Sequence, residues 1–309
     1  MASLTSFLPS RKFMIVLGAL LVGLYVTWCV LLWSLQDRMV FPVDMIAGRP
    51  LSPPPANTYL LEHTFAAGQK VPAWLVIPTD DLPPDAPLIV FFHGNAERID
   101  DQSALLGAYR DLPVAVLLIE YRGYGRADGR PNAADIVNDS VELIRTARAH
   151  PATPGGPLIF HGRSLGGAIA MTVSEQVQPD AIIVQSTFQS IATMARSYGV
   201  PGFLARHHLP AAEIAARLTV PLLVMHGRHD RIIPPDHGRA VADAAGTELI
   251  LFDAGHNDFP GAGEYARYRK ILRSFLDDYL PESSDTEASS DSARSSSSTA
   301  GASGFSRRR

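Results

Sequence analysis

Six short apolar runs recur along the chain between residues 88 and 252. Each run is apolar at consecutive positions, which is typical of strands buried on both faces of a parallel sheet. The stretches between them, such as 133–149, 167–177 and 264–280, have the length and spacing of helices. This alternation predicts an α/β fold with a mostly parallel central sheet and helices on both faces. The runs are residues 88–92, 114–119, 158–160, 181–184, 222–225 and 249–252.

A hairpin is expected ahead of these runs, because residues 59–64 and 71–77 are strand-like and are separated by a short glycine-containing turn. At 309 residues, the chain is long enough to bury one large core. We therefore assign residues 37–280 to a single folded domain.

An uncharged, strongly apolar run at residues 13–36 precedes that domain. As a helix it would extend roughly 34 Å, enough to cross a hydrocarbon core of about 30 Å. It is longer than the apolar region of a secretory signal and has no Ala-x-Ala cleavage pattern, so a transmembrane anchor is favoured over a signal or a buried core helix. Arg11 and Lys12 place the short segment 1–12 in the cytoplasm and the domain across the membrane.

The last 29 residues, 281–309, contain eleven serines and no apolar periodicity. Such a segment buries too little apolar surface to offset the entropy lost on ordering. We predict a disordered, serine-rich tail.

Charge and cysteine content exclude several classes of protein. A net charge of −4 gives no reason to expect a nucleic-acid partner, whose binding usually needs a basic surface. With Cys29 as the one cysteine, neither a disulfide framework nor a cysteine-rich metal site can form. The sequence leaves the oligomeric state open.

The strongest chemical motif is Gly162-Arg163-Ser164-Leu165-Gly166, which matches G-x-S-x-G between a predicted strand and a predicted helix. In that context the glycines permit a tight strand-to-helix turn that projects the Ser164 hydroxyl over the sheet edge. The Leu165 N–H, at the start of the helix, is placed to stabilise developing negative charge. Without its context the motif would be weak evidence.

An acid and a base follow two later strands, because Asp230 comes after the run 222–225 and His256 after the run 249–252. Carboxyl ends of parallel strands share one edge of the sheet, so these residues are expected to meet Ser164 there. His256 would accept the serine proton and Asp230 would orient the imidazole. Asp258 is the rival for the acid, but the chain order favours Asp230.

His93-Gly94-Asn95-Ala96 follows the first run, where the Asn95 N–H suits a second oxyanion donor. The alternative is a simple tight turn. The other motif-flanking histidines, His161, His226 and His229, are interpreted as groups that orient turns. The adjacent pair His207-His208 has poor spacing for a metal site.

Together with Tyr121-Arg122-Gly123-Tyr124-Gly125, these motifs resemble the α/β-hydrolase superfamily, and in particular its membrane-anchored serine hydrolases related to the bud-emergence protein and to animal α/β-hydrolase-domain lipases and depalmitoylases. The resemblance covers most of residues 36–280. It implies a Ser164–Asp230–His256 triad, oxyanion N–H groups at Leu165 and Asn95, and no cofactor or metal. The tyrosine-glycine motif is expected to be a structural corner.

About thirty residues, 187–219, separate two predicted strands and leave room for only a small lid. Its apolar residues could line an acyl site, but we expect most of them to pack on the core. They are Phe188, Met194, Tyr198, Phe203 and Leu204.

The predicted function is a membrane-anchored serine hydrolase that cleaves carboxylic esters or thioesters of acyl or lipid type through an acyl-enzyme. A peptidase-like amide hydrolase is one alternative. Another is a non-catalytic, membrane-tethered binding module on a hydrolase scaffold, which a fold alone never excludes.

Overall fold

A computed structural model describes residues 10–78 and 81–281 of the chain. Most of the predicted N-terminal segment 1–12 and nearly all of the predicted serine-rich tail therefore lie outside the described residues. Within the described ranges the chain forms eight strands and eight α-helices.

The eight strands form one sheet in the order β1-β2-β4-β3-β5-β6-β7-β8. The first two make the predicted antiparallel hairpin, with Thr58 opposite Val76, and β2 runs antiparallel to β4. Every other neighbouring pair is parallel. The predicted fold class is confirmed. The strands are β1 (Thr58–Thr64), β2 (Lys70–Val76), β3 (Leu88–Phe92), β4 (Ala115–Ile119), β5 (Leu158–Arg163), β6 (Ala181–Gln185), β7 (Leu222–Gly227) and β8 (Leu249–Phe252).

Helices cover both faces of the sheet, which explains why the central strands are apolar at consecutive positions. Leu88, Val90 and Phe92 of β3 belong to one core, whereas Ile89 and Phe91 belong to the other. The first core packs under α3 (Ala133–Ala149), α4 (Leu165–Val173), α6 (Ala211–Ala215) and α7 (Pro235–Ala245). The second core packs under α2 (Ser103–Tyr109) and α8 (Tyr265–Leu276).

The sequence named the regions of α3, α4 and α8 as helical but not the other helices of the domain. Helices α2, α5 (Ile191–Ser197) and α6 have only five to seven residues, too few to show a helical period. Helix α7 is longer and carries its own signals, with Pro235 in its first turn and Gly246 at φ 66° closing its end.

The apolar N-terminal run forms α1 (Arg11–Val40), which extends beyond the predicted span at both ends. Ser10 caps it by accepting a hydrogen bond from the Phe13 N–H at 3.3 Å. One stretch of 18 residues has a mean hydropathy of 2.5, and only 6% of it is buried within the chain. By length and composition, α1 can cross a membrane. The residue after it, Phe41, is already buried in the core of the domain.

The segment between β6 and β7, residues 187–219, is called here the insertion. Its second half contains α6, which belongs to the helical layer over the sheet. Its first half contains α5 and a 3-10 turn, Gly202–Leu204, which lie beside α1. Of the five apolar residues expected mostly to pack on the core, Phe188 is buried, and Met194 and Leu204 are half-buried. Tyr198 and Phe203 are exposed and are the exceptions within this set.

Candidate active site

Ser164 occupies the sharp turn between β5 and α4. Its backbone has φ 53° and ψ −120°, a conformation that residues other than glycine rarely adopt. Neighbouring hydrogen bonds hold it there. The Ser164 N–H donates to the Gln185 carbonyl at 2.9 Å, and the Ser164 carbonyl accepts from the Thr187 hydroxyl at 2.9 Å. A strained residue fixed by its surroundings is a frequent property of functional sites.

Two glycines of the G-x-S-x-G motif are required by close backbone approach. A Cβ on Gly162 would lie 2.4 Å from the Gly166 carbonyl oxygen. A Cβ on Gly166 would lie 2.0 Å from the Phe92 carbonyl oxygen, at the end of β3. The start of α4 therefore packs directly against the end of β3. This contact brings the turn of Ser164 next to the loop that contains Asn95.

The structure brings Ser164, His256 and Asp230 together in a chain of hydrogen bonds at the carboxyl edge of the sheet. The Ser164 Oγ lies 3.0 Å from His256 Nε2, and His256 Nδ1 lies 2.6 Å from Asp230 Oδ2. Each residue follows a different strand, β5, β7 or β8, as the sequence predicted. Ser164 is 5% exposed, so its hydroxyl is held in a largely desolvated position.

Asp230 is prepared to remain ionised. Its Oδ1 accepts hydrogen bonds from the Ile232 and Ile233 N–H groups at 2.9 and 2.8 Å. Burial opposes the charge, but contacts with His226 and His256 and the Ile233 N–H outweigh it and hold the pKa of Asp230 well below its usual range. An ionised Asp230 beside Nδ1 keeps that nitrogen protonated, which leaves Nε2 free to accept the serine proton.

The two predicted oxyanion donors lie in the two segments that meet at Gly166. Leu165 is the first residue of α4, so its N–H has no acceptor within the helix. Asn95 lies in the loop after β3, and its carbonyl accepts a hydrogen bond from the Tyr124 hydroxyl at 2.9 Å. This hydrogen bond restrains the peptide plane that follows Asn95 and so limits the mobility of the loop. That these two N–H groups stabilise a developing oxyanion beside Ser164 stays a prediction.

The loop after β3 rests on a buried ion pair that the sequence analysis did not find. His93 Nε2 lies 2.8 Å from Glu120 Oε1, and His93 Nδ1 lies 2.8 Å from the Gly94 carbonyl oxygen. Both side chains are fully buried. Burial disfavours the charge on His93, but Glu120 and the Gly94 carbonyl outweigh it and raise its pKa. The Tyr121 hydroxyl donates to the His93 carbonyl at 2.9 Å, so the predicted structural corner supports this loop.

Arg163, the residue before the nucleophile position, ties two loops together. Its guanidinium pairs with Glu97 and donates to the His256 carbonyl at 2.9 Å. Glu97 in turn accepts from the Gly94 N–H at 3.0 Å. The histidine loop and the loop after β3 are thus joined through one side chain. The sequence marked Arg163 only as the variable residue before Ser164 in the G-x-S-x-G motif, and gave no sign that it joins the two loops.

His161 lies in β5 below Ser164 and is fully buried. Its Nδ1 accepts from the Tyr109 hydroxyl at 2.6 Å, and its Nε2 donates to Gln185 Oε1 at 3.3 Å. Burial lowers the pKa of His161 to about 4 and is only partly offset by Gln185. His161 is therefore a neutral core residue at physiological pH.

The remaining candidates lie away from the Ser164–His256 contact. Asp258 accepts from the Gly255 N–H at 2.8 Å and not from His256. His229 is exposed and pairs with Asp253. His207 pairs with Asp37 at 2.8 Å. Within residues 10–78 and 81–281, no group of three or more His, Cys, Asp or Glu is arranged to hold a metal ion.

Comparison with known proteins places this architecture in a family. Residues 83–210 match the model of the family described as serine aminopeptidase, S33. The chain is 30% identical over 247 residues to the uncharacterized protein YfhR of Escherichia coli O157:H7, covering 76% of this chain and 85% of YfhR. It is 28% identical over 218 residues to protein bem46 of Schizosaccharomyces pombe, covering 66% and 73%.

A solved structure with the same fold is the esterase PF2001 of Pyrococcus furiosus, with a TM-score of 0.60 and 13% identity over 74% of this chain and 96% of that one. At that identity the likeness concerns the fold. The sheet order, the Ser164 turn and the similarity to YfhR and bem46 agree with one another. The chain belongs to the α/β-hydrolase superfamily and resembles its bem46-type members.

Proposed function

We propose that the chain is a membrane-anchored serine hydrolase that cleaves carboxylic esters or thioesters. The observation that carries the proposal is the hydrogen-bonded chain from the Ser164 hydroxyl through His256 to Asp230. A serine hydroxyl is a weak nucleophile at neutral pH and needs an adjacent base oriented by a third group. The esterase named among the structural neighbours has the same fold, and this is consistent with ester chemistry.

In the proposed reaction, Ser164 Oγ attacks the substrate carbonyl carbon while His256 Nε2 takes the hydroxyl proton. The carbonyl oxygen becomes an oxyanion that the Leu165 and Asn95 N–H groups stabilise. The carbon–oxygen or carbon–sulfur bond to the leaving group then breaks, and His256 returns the proton to the leaving alcohol or thiol. Water, deprotonated by His256, attacks the acyl-Ser164 ester and releases the carboxylic acid.

The anchoring part of the proposal rests on α1. Its apolar side chains are exposed along most of its length, which is unfavourable in water but stabilising in lipid. A buried core helix of a soluble protein would instead be covered by the rest of the chain. Only Cys29 of α1 is buried.

Labelling with a fluorophosphonate probe tests the nucleophile. We expect the full-length protein to label, and Ser164→Ala and His256→Ala to lose labelling. Ser186→Ala is a matched control, because Ser186 is buried near the site and its hydroxyl has no hydrogen-bond partner within the described residues. That variant should label like the wild type.

A substrate panel then separates the alternatives. We expect turnover of acyl esters and thioesters by the wild type, and a loss of about 10⁴-fold or more in Ser164→Ala. Turnover confined to aminoacyl amides would favour a peptidase-like enzyme. A folded wild type that neither labels nor turns over any substrate would instead be a binding module.

A further inference from the structure

The tip of the insertion, residues 198–205, is an uncharged segment bounded by two exposed arginines. It contains Phe203, which is 85% exposed, and Tyr198, which is 50% exposed. Arg196 precedes the segment and Arg206 follows it. Exposed aromatic side chains flanked by basic residues are typical of surfaces that meet the headgroup region of a bilayer.

The tip lies directly against α1. The Tyr25 hydroxyl donates to the Gly199 carbonyl at 3.1 Å, and the Trp28 indole N–H donates to the Tyr198 carbonyl at 3.0 Å. At the other end of the tip, the Gln36 side chain donates to the Leu204 carbonyl at 2.8 Å.

These contacts pair a large part of the polar backbone of the loop, which a water-poor environment favours. An unpaired backbone group costs several kcal/mol in hydrocarbon, so irregular chain is tolerated at membrane depth only where its polar groups are paired. Three tip carbonyls are paired by α1 side chains. Backbone N–H groups of the tip donate to carbonyls within the insertion, at residues Tyr198, Gly199, Val200, Leu204 and Ala205.

The position of these contacts along α1 fixes the depth of the tip. They extend from Tyr25 to Gln36, which is the second half of the predicted span 13–36. From Phe13 to Trp33 the helix rises about 30 Å, the thickness of a hydrocarbon core. The contact at Gln36 then lies in the interface, and the contacts at Trp28 and Tyr25 lie in the outer part of the core. Tyr25, Trp28 and Trp33 are 44 to 49% exposed along this part of α1.

We propose that residues 198–205 insert into the lipid leaflet beside α1, from the headgroup region into the outer part of the hydrocarbon, as a second membrane contact of the domain. The occupant of this surface is the phospholipid bilayer. The inference rests on the proposed anchoring by α1. It adds that the domain is seated on the membrane through the insertion.

Depth-dependent quenching tests this contact in the full-length protein. In a Cys29→Ser background, Phe203→Cys is labelled with the environment-sensitive fluorophore NBD, and the protein is reconstituted into phosphatidylcholine vesicles that carry doxyl-labelled lipid. Arg145→Cys is the control, because Arg145 lies on α3 with a 62% exposed side chain. We expect at least twofold stronger quenching of the label at position 203 than of the control label.

Flotation of the vesicles in alkaline carbonate reports the anchor separately. If the protein floats but both labels are quenched equally, the leaflet contact is overturned and the anchor stands. If the protein does not float, both proposals are overturned. A third outcome would also overturn the proposal. If the label at position 203 becomes shielded from water as the protein-to-lipid ratio rises, but doxyl-labelled lipid does not quench it, the occupant is a second copy of the chain.

Discussion

Asp230 and Asp258 both lie near His256, and their hydrogen bonds show which of them contacts the imidazole. Asp230 contacts the imidazole at 2.6 Å, whereas Asp258 accepts from a backbone N–H. We expect Asp230→Asn to reduce kcat about 10⁴-fold, because the imidazole would lose the partner that sets its tautomer. The matched variant Asp258→Asn should change kcat less than about 10-fold. Ester hydrolysis by both variants measures the difference.

The opposite order of effects would assign the acid to Asp258. Folding of both variants is checked by circular dichroism, so that a loss of kcat is not confused with a loss of structure.

His161 makes a pH-dependent contribution to stability. Its pKa is about 4 in the folded protein, against an ordinary value of 6.5. Below pH 6.5 the unfolded chain therefore binds a proton that the folded protein does not, and stability falls as the pH falls towards 4. The free energy of unfolding should fall by about 3 kcal/mol from this group between pH 6.5 and 4.

Denaturant unfolding in detergent at several pH values measures this term. His161→Asn should lack it, so the wild type loses about 3 kcal/mol more than the variant over this range. His229→Asn is the control, since His229 is exposed, and it should follow the wild type. Parallel pH profiles for the wild type and His161→Asn would contradict the interpretation of His161 as a buried neutral group.

The loop between β3 and α2 depends on other elements for its shape. Tyr121 and Tyr124, from the segment after β4, donate to the carbonyls of His93 and Asn95. We therefore expect Tyr124 to act as a positioning residue for the proposed oxyanion donor. It acts through the backbone and has no assigned contact with substrate.

Tyr124→Phe removes one hydrogen bond from that loop while leaving the ring in place. If the transition state loses about 1 kcal/mol of stabilisation, kcat falls roughly 5-fold to 10-fold. KM should change less than twofold, because the ground-state contacts remain. Tyr279→Phe is the control, since its hydroxyl donates to the Asp180 carbonyl and not to this loop. An unchanged kcat in Tyr124→Phe would remove the positioning role.

The mostly parallel sheet was accessible from sequence because consecutive apolar residues are required in strands covered on both faces, whereas the order of its strands was not predicted. The meeting of Ser164, Asp230 and His256 followed from a second rule, that parallel strands deliver their next residues to one edge. The support around them followed from neither rule. Arg163 and Glu97 are 66 residues apart, and His93 and Glu120 are 27 apart, and no local pattern pairs them.

The insertion also shows what a sequence pattern leaves open. Phe203 and Tyr198 belong to a set of five apolar residues, most of which were expected to pack on the core because burial stabilises an apolar side chain. These two are exposed beside α1 instead. A sequence pattern records that a side chain is apolar, but not whether protein or lipid will cover it.

The charges that flank α1 predict the orientation that the proposed anchor would give the chain across a membrane. Arg11 and Lys12 lie before the apolar run, whereas Asp37 offsets Arg38 after it. We expect the N-terminal side in the cytoplasm and the domain on the other side. Alkaline phosphatase fused after residue 45 should therefore be active when the fusion is expressed in a bacterium.

The same fusion carrying Arg11→Glu and Lys12→Glu should lose much of this activity, because the positive charges that retain the N-terminal side would be gone. A reporter that is active only in the cytoplasm, in the fusion with the native flanking charges, would reverse the predicted orientation.

Helix α1 passes into the domain without a linker, since it ends at Val40 and Phe41 is already part of the core. With α1 held in a bilayer, the domain would be kept at a set height above the lipid, and rotation of the domain relative to α1 would be restricted. The insertion adds a second fixed distance, because Thr187 contacts Ser164 and only ten residues lie between Thr187 and Tyr198. Seven of those residues are helical, so that path extends at most about 25 Å. A hydrolase anchored in this way would select substrates by the distance between the bond to be cleaved and the lipid surface.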